Sequence, residues 1–191
     1  ALQTYTRALE QLPNQPDIWI SRGLRHWQLR QYEPAISDGN RAIELDAMVP
    51  YYWHVRGNAN QGAGLYVEAI RDHTEALRLA DNTTAGYVLW SWINRGSCYI
   101  ELGQLDLALD DLMQADNLNS DKSSTTHALI QQKRGEIALQ QRRYTEAISH
   151  FDSSIAITPK ASARHKLRAI AKFYANQFDE SLADLRLARQ L

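Results

Sequence analysis

Arginine beside a small residue recurs along this chain: Arg22-Gly23, Arg56-Gly57, Arg95-Gly96, Arg134-Gly135 and Arg168-Ala169. A row of guanidinium groups can bind phosphate, or it can pair with carboxylates inside the protein. The second chemistry has its partners in the sequence. Sixteen residues after these arginines stand Asp38, Asp72, Asp111, His150 and Asp184. Charges at packed positions are usually paired, so four Arg–Asp bridges are expected, with the series broken at His150. Catalytic chemistry has less to stand on. Among the six histidines no pair has the i, i+4 spacing of a helical metal site. Asp110-Asp111 is an acidic pair, but one member already belongs to the bridges. There is no glycine-rich phosphate loop and no nucleophile elbow. The single cysteine, Cys98, excludes an internal disulfide framework and reads as a buried thiol. No enzyme, cofactor or metal is expected.

The elements that carry these residues follow from their spacing. The arginines lie 34, 39, 39 and 34 residues apart. Small residues keep the same register at Ala35, Ala69, Ala108, Ala147 and Ser181, and again at Ala42, Ala76, Ala115, Ser154 and Ala188. Three columns held through five copies make a tandem array. Each unit reads as two helices, for example Trp53 to Gly64 and Glu68 to Leu79, joined by a turn at Leu65-Tyr66. Pro16 and Pro50 suit first helical turns, Pro34 a helix-hairpin turn, and Pro13 and Pro159 the ends of second helices. The 191 residues carry 21 basic and 22 acidic side chains, net −1, which argues against a nucleic-acid or membrane surface. No apolar run reaches the ~18 residues of a membrane span. An all-α, cytoplasmic protein is expected.

The unit resembles the tetratricopeptide repeat, with its pattern W-x2-L-G-x2-Y, then A-x3-F, then P. Here the first half reads Trp19-x2-Arg22-Gly23-x2-His26, Trp53-x2-Arg56-Gly57-x2-Asn60 and Trp92-x2-Arg95-Gly96-x2-Tyr99. The second reads Ala69-x3-His73, Ala108-x3-Leu112 and Ala147-x3-Phe151, with Pro159 closing its unit and Ala47, Asp81 and Ser120 in its place elsewhere. Gln131 and His165 stand where tryptophan is expected. Trp19, Trp53 and Trp92 read as core packers. The resemblance implies a right-handed α-solenoid of antiparallel helix pairs. Its parts are a half repeat at 1–15 and repeats at 16–49, 50–83, 84–122, 123–161 and 162–191. Ala1-x3-Tyr5-x2-Ala8-x4-Pro13 matches a second helix, so a fragment of a longer array is expected, with end faces that could self-associate.

In this family the first helices line a concave groove that takes peptides or partner helices. The face opposite the packed positions holds Ile20, Ser21, Leu24 and Gln28, then Tyr51, His54, Val55 and Asn58, then Trp90, Asn94 and Ser97, then Lys133 and Glu136, then Lys166 and Tyr174. Chaperone-adaptor repeats of the family grip a C-terminal carboxylate. Asn58 and Asn94 match their two asparagines, Lys133 stands at the arginine place, and His54 and Leu129 occupy the two lysine places. The expected site is therefore Tyr51, His54, Asn58, Trp90, Asn94 and Lys133, and the expected partner a protein segment with an acidic C-terminus. His54 would add charge below pH ~6.5. The two longer units carry their extra residues at 84–88 and 123–127, with Ser123, Thr125 and Thr126 as candidate caps of earlier-starting first helices. Tyr87 and Trp90 are expected to pack against the preceding repeat.

Overall fold

A computed structural model of the protein describes residues 2–80 and 85–191, without the side chain of Ala85. Ala1, and with Asp81 and Thr84 the start of the first extension, lie outside the described residues. Eleven helices and no strand are present among those described: α1 (Leu2–Gln11), α2 (Pro16–Gln28), α3 (Tyr32–Leu45), α4 (Pro50–Gly62), α5 (Tyr66–Leu79), α6 (Ala85–Glu101), α7 (Leu105–Leu118), α8 (Thr125–Gln140), α9 (Tyr144–Ile157), α10 (Ser162–Tyr174) and α11 (Phe178–Gln190). They form two compact units, Ala1–Asp111 and Leu112–Leu191, divided within α7. In the first, α2 packs on α3 and α4 on α5, while the first helices α2, α4 and α6 also touch in succession. In the second, α8 pairs with α9 and α10 with α11, and α10 packs on α8 and α9. None of the described helices is long and apolar enough to cross a membrane.

The hairpin inside each pair is built one way five times. Arg30, Gly64, Gly103, Arg142 and Asn176, each eight residues after its arginine, hold left-handed φ values between 58° and 78°. The next amide reaches back five residues: Gln31 N–H to His26 O, Leu65 N–H to Asn60 O, Gln104 N–H to Tyr99 O, Arg143 N–H to Ala138 O and Gln177 N–H to Lys172 O. This closes the helix end in the Schellman manner and turns the chain into the second helix. Gly64 therefore belongs to the turn, and the first helix stops at Gly62. Pro16 and Pro50 do occupy first turns, while Pro34 sits inside the first turn of α3.

Small columns set the distance between paired helices. Ala35, Ala69, Ala108, Ala147, Ala42, Ala76 and Ala115 are all fully buried. Where serine replaces alanine, its hydroxyl is spent on the facing helix: Ser154 Oγ donates to Ala128 O and Ser181 Oγ to Ala169 O. A buried hydroxyl without such a bond would cost about 1–3 kcal/mol. The first helices of the longer units are longer: α6 has 17 residues and α8 has 16, against 13 in α2, α4 and α10. Ser124, not Ser123, Thr125 or Thr126, caps α8 by accepting from His127 N–H.

Four Arg–Asp bridges are present. Arg22, Arg56, Arg95 and Arg168 each direct Nε and Nη2 at the two carboxylate oxygens of Asp38, Asp72, Asp111 and Asp184. The third guanidinium nitrogen, Nη1, reaches the preceding repeat: Thr6, Asn40, Thr74 and Asp152 accept it. Each arginine thus joins three helices. In three of them the guanidinium also lies over tryptophan, Arg22 4.8 Å from Trp19, Arg56 4.9 Å from Trp53 and Arg95 4.7 Å from Trp92. The tryptophans are half-buried, and Trp19 and Trp53 pack against the core of Ile20, Ala42, Ile43, Tyr52 and Val55, as their reading as core packers requires. Trp19 and Trp53 donate Nε1–H to Pro13 O and Ala47 O at the end of the previous repeat. His165 does the same to Pro159 O. In the fourth repeat Arg134 turns instead to Asp116, and His150 Nδ1 lies 2.8 Å from Gln131 Oε1.

Candidate functional site

A cavity of about 780 Å³ opens in the unit 1–111 on the first-helix side. Of the expected residues, His54, Asn58, Trp90 and Asn94 line it. Helix α4 brings His54 and Asn58 to one face at i, i+4 spacing, and α6 brings Trp90 and Asn94 the same way. The two helices are joined there by a chain of hydrogen bonds. Asn94 Nδ2 donates to Asn58 Oδ1 at 2.8 Å, which turns the Asn58 amide nitrogen toward His54 Nε2 at 3.0 Å. An amide N–H can only donate, so Nε2 accepts and the imidazole proton sits on Nδ1, 2.7 Å from Ser91 Oγ. The chain Asn94, Asn58, His54, Ser91 therefore has one polarity.

That polarity corrects one expectation. His54 is 7% exposed, and burial pushes its pKa down to about 4. It is a neutral orienting group near pH 7 and takes no charge at pH ~6.5. Lys133 lies in the other unit, where its ammonium is 2.9 Å from Glu136 Oε2 one turn along α8. Tyr51 stands outside the cavity lining, stacked on His54 with ring centroids 6.2 Å apart. Tyr87 packs on Tyr51 and His54, at 6.0 Å from each. The expected packing of Tyr87 and Trp90 thus divides: Tyr87 packs, whereas Trp90 faces the cavity and is 41% exposed. Ile20 and Val55, read as groove lining, lie in the core with Ala42, Ile43 and Tyr52.

The cavity also recruits residues that sequence reasoning passed over. Trp27 and Tyr32 add two aromatic surfaces, Gln61 another amide, and Arg30 the one cation among the described lining residues. A signal for Tyr32 existed, since Tyr32, Tyr66, Leu105, Tyr144 and Phe178 all open second helices in register. Nothing in the repeat pattern marks Trp27. No group of three or more His, Cys, Asp or Glu able to hold a metal ion occurs among the described residues. Cys98 is a fully buried thiol, as expected.

Comparison with known proteins agrees with this architecture. Tetratricopeptide repeat models match residues 91–122 and 127–162. The chain is 24% identical over 190 residues to human tetratricopeptide repeat protein 16, covering 88% of this chain and 20% of that protein. It is 24% identical over 222 residues to mouse superkiller complex protein 3, covering 96% of this chain and 14% of the relative. The chain thus spans about a fifth or less of the length of these relatives. Among solved structures it resembles YrrB, described as a TPR protein with an unusual peptide-binding site, at TM-score 0.70 and 21% identity over 98% of this chain and 92% of that one. The APC/C hetero-tetramer Cut9-Hcn1 superposes at TM-score 0.79 and 17% identity over 97% of this chain and 35% of that one. These likenesses establish the fold. Residues 91–122 and 127–162 match tetratricopeptide repeats, and the three columns held through five copies, with four Arg–Asp bridges, carry the same helix-pair pattern along the rest of the chain.

Proposed function

We propose that the chain is a non-enzymatic scaffold that binds a protein segment along its first helices, with the cavity of the unit 1–111 as the main contact. The observation that carries this reading is the cavity's lining: exposed Trp27 and Trp90 beside the oriented amides of Asn58 and Asn94. Exposed aromatics and fixed amides together suit a peptide, which offers apolar side chains and backbone polar groups at once. The likeness to YrrB, a protein described as carrying a peptide-binding site, supports the same reading. An acidic terminus on the segment would meet Arg30, since His54 is neutral and Lys133 is paired. Fluorescence anisotropy of peptides ending in acidic residues, against amidated forms, tests this. Trp90→Ala and Asn94→Ala should each weaken binding about tenfold. Equal binding by wild type and both variants would overturn the groove.

A second reading, self-assembly, is favoured by an exposed apolar face on α10 and α11. Phe173 and Phe178, with ring centroids 5.5 Å apart, are 54% and 55% exposed, and Leu182 and Leu185 continue the patch. Such a face invites a second copy of the chain. Light scattering across concentration, with Phe178→Asp as the variant that should abolish any growth in mass, separates this role from the groove.

A further inference from the structure

Gly62 is the exception in its column. The residues at its place in the five repeats are Gln28, Gly62, Glu101, Gln140 and Tyr174. The column that opens the second helices, aromatic in four of the five repeats, lies opposite. In the unit 112–191 the two columns meet as Tyr144 and Tyr174, whose rings stack at 5.3 Å with planes 16° apart. The same two places in the unit 1–111 hold Tyr32 and Gly62. A Cβ on Gly62 would drive into the Tyr32 ring, 2.8 Å from Cδ1 and 2.9 Å from Cζ. Only glycine lets that ring settle on the helix backbone, and no side chain from this place then enters the cavity that Tyr32 and Gly62 both line.

The lining has a definite chemistry. Trp27, Tyr32 and Trp90 supply aromatic surface, and aromatic side chains pair with one another through offset or edge-on contacts beyond simple burial. Arg30 supplies a cation from a left-handed hairpin position and makes no ion pair with any described residue. No carboxylate lines the cavity among the described residues. We propose that this cavity is a subsite for one bulky aromatic side chain of the bound segment, adjoined in that segment by an acidic residue that pairs with Arg30. Gly62 is then the residue that creates the specificity. A lysine or arginine neighbour would find no carboxylate and would face Arg30. The inference rests on the groove reading and narrows it.

The probes are three capped dipeptides, N-acetyl-Trp-Asp-amide, N-acetyl-Trp-Lys-amide and N-acetyl-Ala-Asp-amide, titrated into isotope-labelled protein and followed by NMR at the Trp27 and Trp90 indole N–H and the Asn58 and Asn94 side-chain amides. The Trp-Asp probe should shift these signals saturably, the Trp-Lys probe should bind at least fivefold more weakly, and the Ala-Asp probe should leave them unmoved. Gly62→Tyr, which installs the side chain found at Tyr174, should abolish the Trp-Asp shifts while circular dichroism and Tm show the helices intact. Arg30→Gln should remove the preference for Asp over Lys. Equal binding of the Ala-Asp probe, shifts confined to other residues, or undiminished binding by Gly62→Tyr would overturn the subsite. If longer peptides still bind and Trp90→Ala still weakens them, the groove stands and the subsite alone falls. If neither dipeptides nor longer peptides respond to groove variants, the groove reading falls with it.

Discussion

The imidazole of His73 lies against the backbone of Gly57, so that a Cβ on Gly57 would stand 2.9 Å from His73 Cε1. Phe151 meets Gly135 in the same way two repeats later. The pocket is shaped for a ring, and His73 is a ring with two nitrogens that find no hydrogen-bond partner. His73→Phe should therefore stabilise the protein, by roughly 1–2 kcal/mol, because it removes the cost of two buried unpaired polar atoms and keeps the packing. Urea denaturation at pH 7 checks this; a lower midpoint would refute it.

Stability should fall as pH drops from 7 to 5. Burial pushes His54 to about 4, and burial first, then the charges of His54 and Arg95, pushes His73 to about 3. The unfolded chain takes up protons near the ordinary histidine value of ~6.5 while the folded chain does not. Protons then favour the unfolded state, costing roughly 2 kcal/mol for each of these histidines by pH 5. Thermal melts across that range test the slope, and His73→Phe should roughly halve it.

Arg95→Ala should cost much more than Arg134→Ala. Arg95 holds both oxygens of Asp111, which is 3% exposed, so its loss strands a buried carboxylate at about 3 kcal/mol. Arg134 reaches Asp116 at 3.3 Å, and that carboxylate keeps Lys122 at 2.6 Å and His127 at 3.0 Å after the change. About 1 kcal/mol is expected for Arg134→Ala. Equal losses in denaturant titrations would refute the difference.

Arg142→Gly should raise stability. Arg142 holds φ 60° at the hairpin where Gly64 and Gly103 stand in sister repeats. A side chain in the left-handed region costs about 1 kcal/mol, and the substitution relieves it with no ion pair of Arg142 to lose among the described residues. A Tm increase of a few degrees is the expected readout.

Much of this protein was legible in the sequence because a tandem array states its rules five times. The arginine, aspartate and alanine columns are set by spacing alone, since helical periodicity and a fixed hairpin bring residues sixteen apart into register. That is why Arg22–Asp38 and its three counterparts could be named beforehand, and why His150 marked the repeat wired differently. The functional face was legible only in part. His54, Asn58, Trp90 and Asn94 could be assigned to the first helices, but a column does not say which members close on one another. The hydrogen-bond chain that leaves His54 neutral depends on the distance between α4 and α6 and on Ser91, which no repeat rule singles out. The same holds for Trp27 and for Gly62 beneath Tyr32. Their meeting is decided by how side chains of different size fill the space between neighbouring helix pairs, where a missing Cβ at Gly62 counts as much as a ring. Periodicity determined the framework, and packing between repeats decided the cavity.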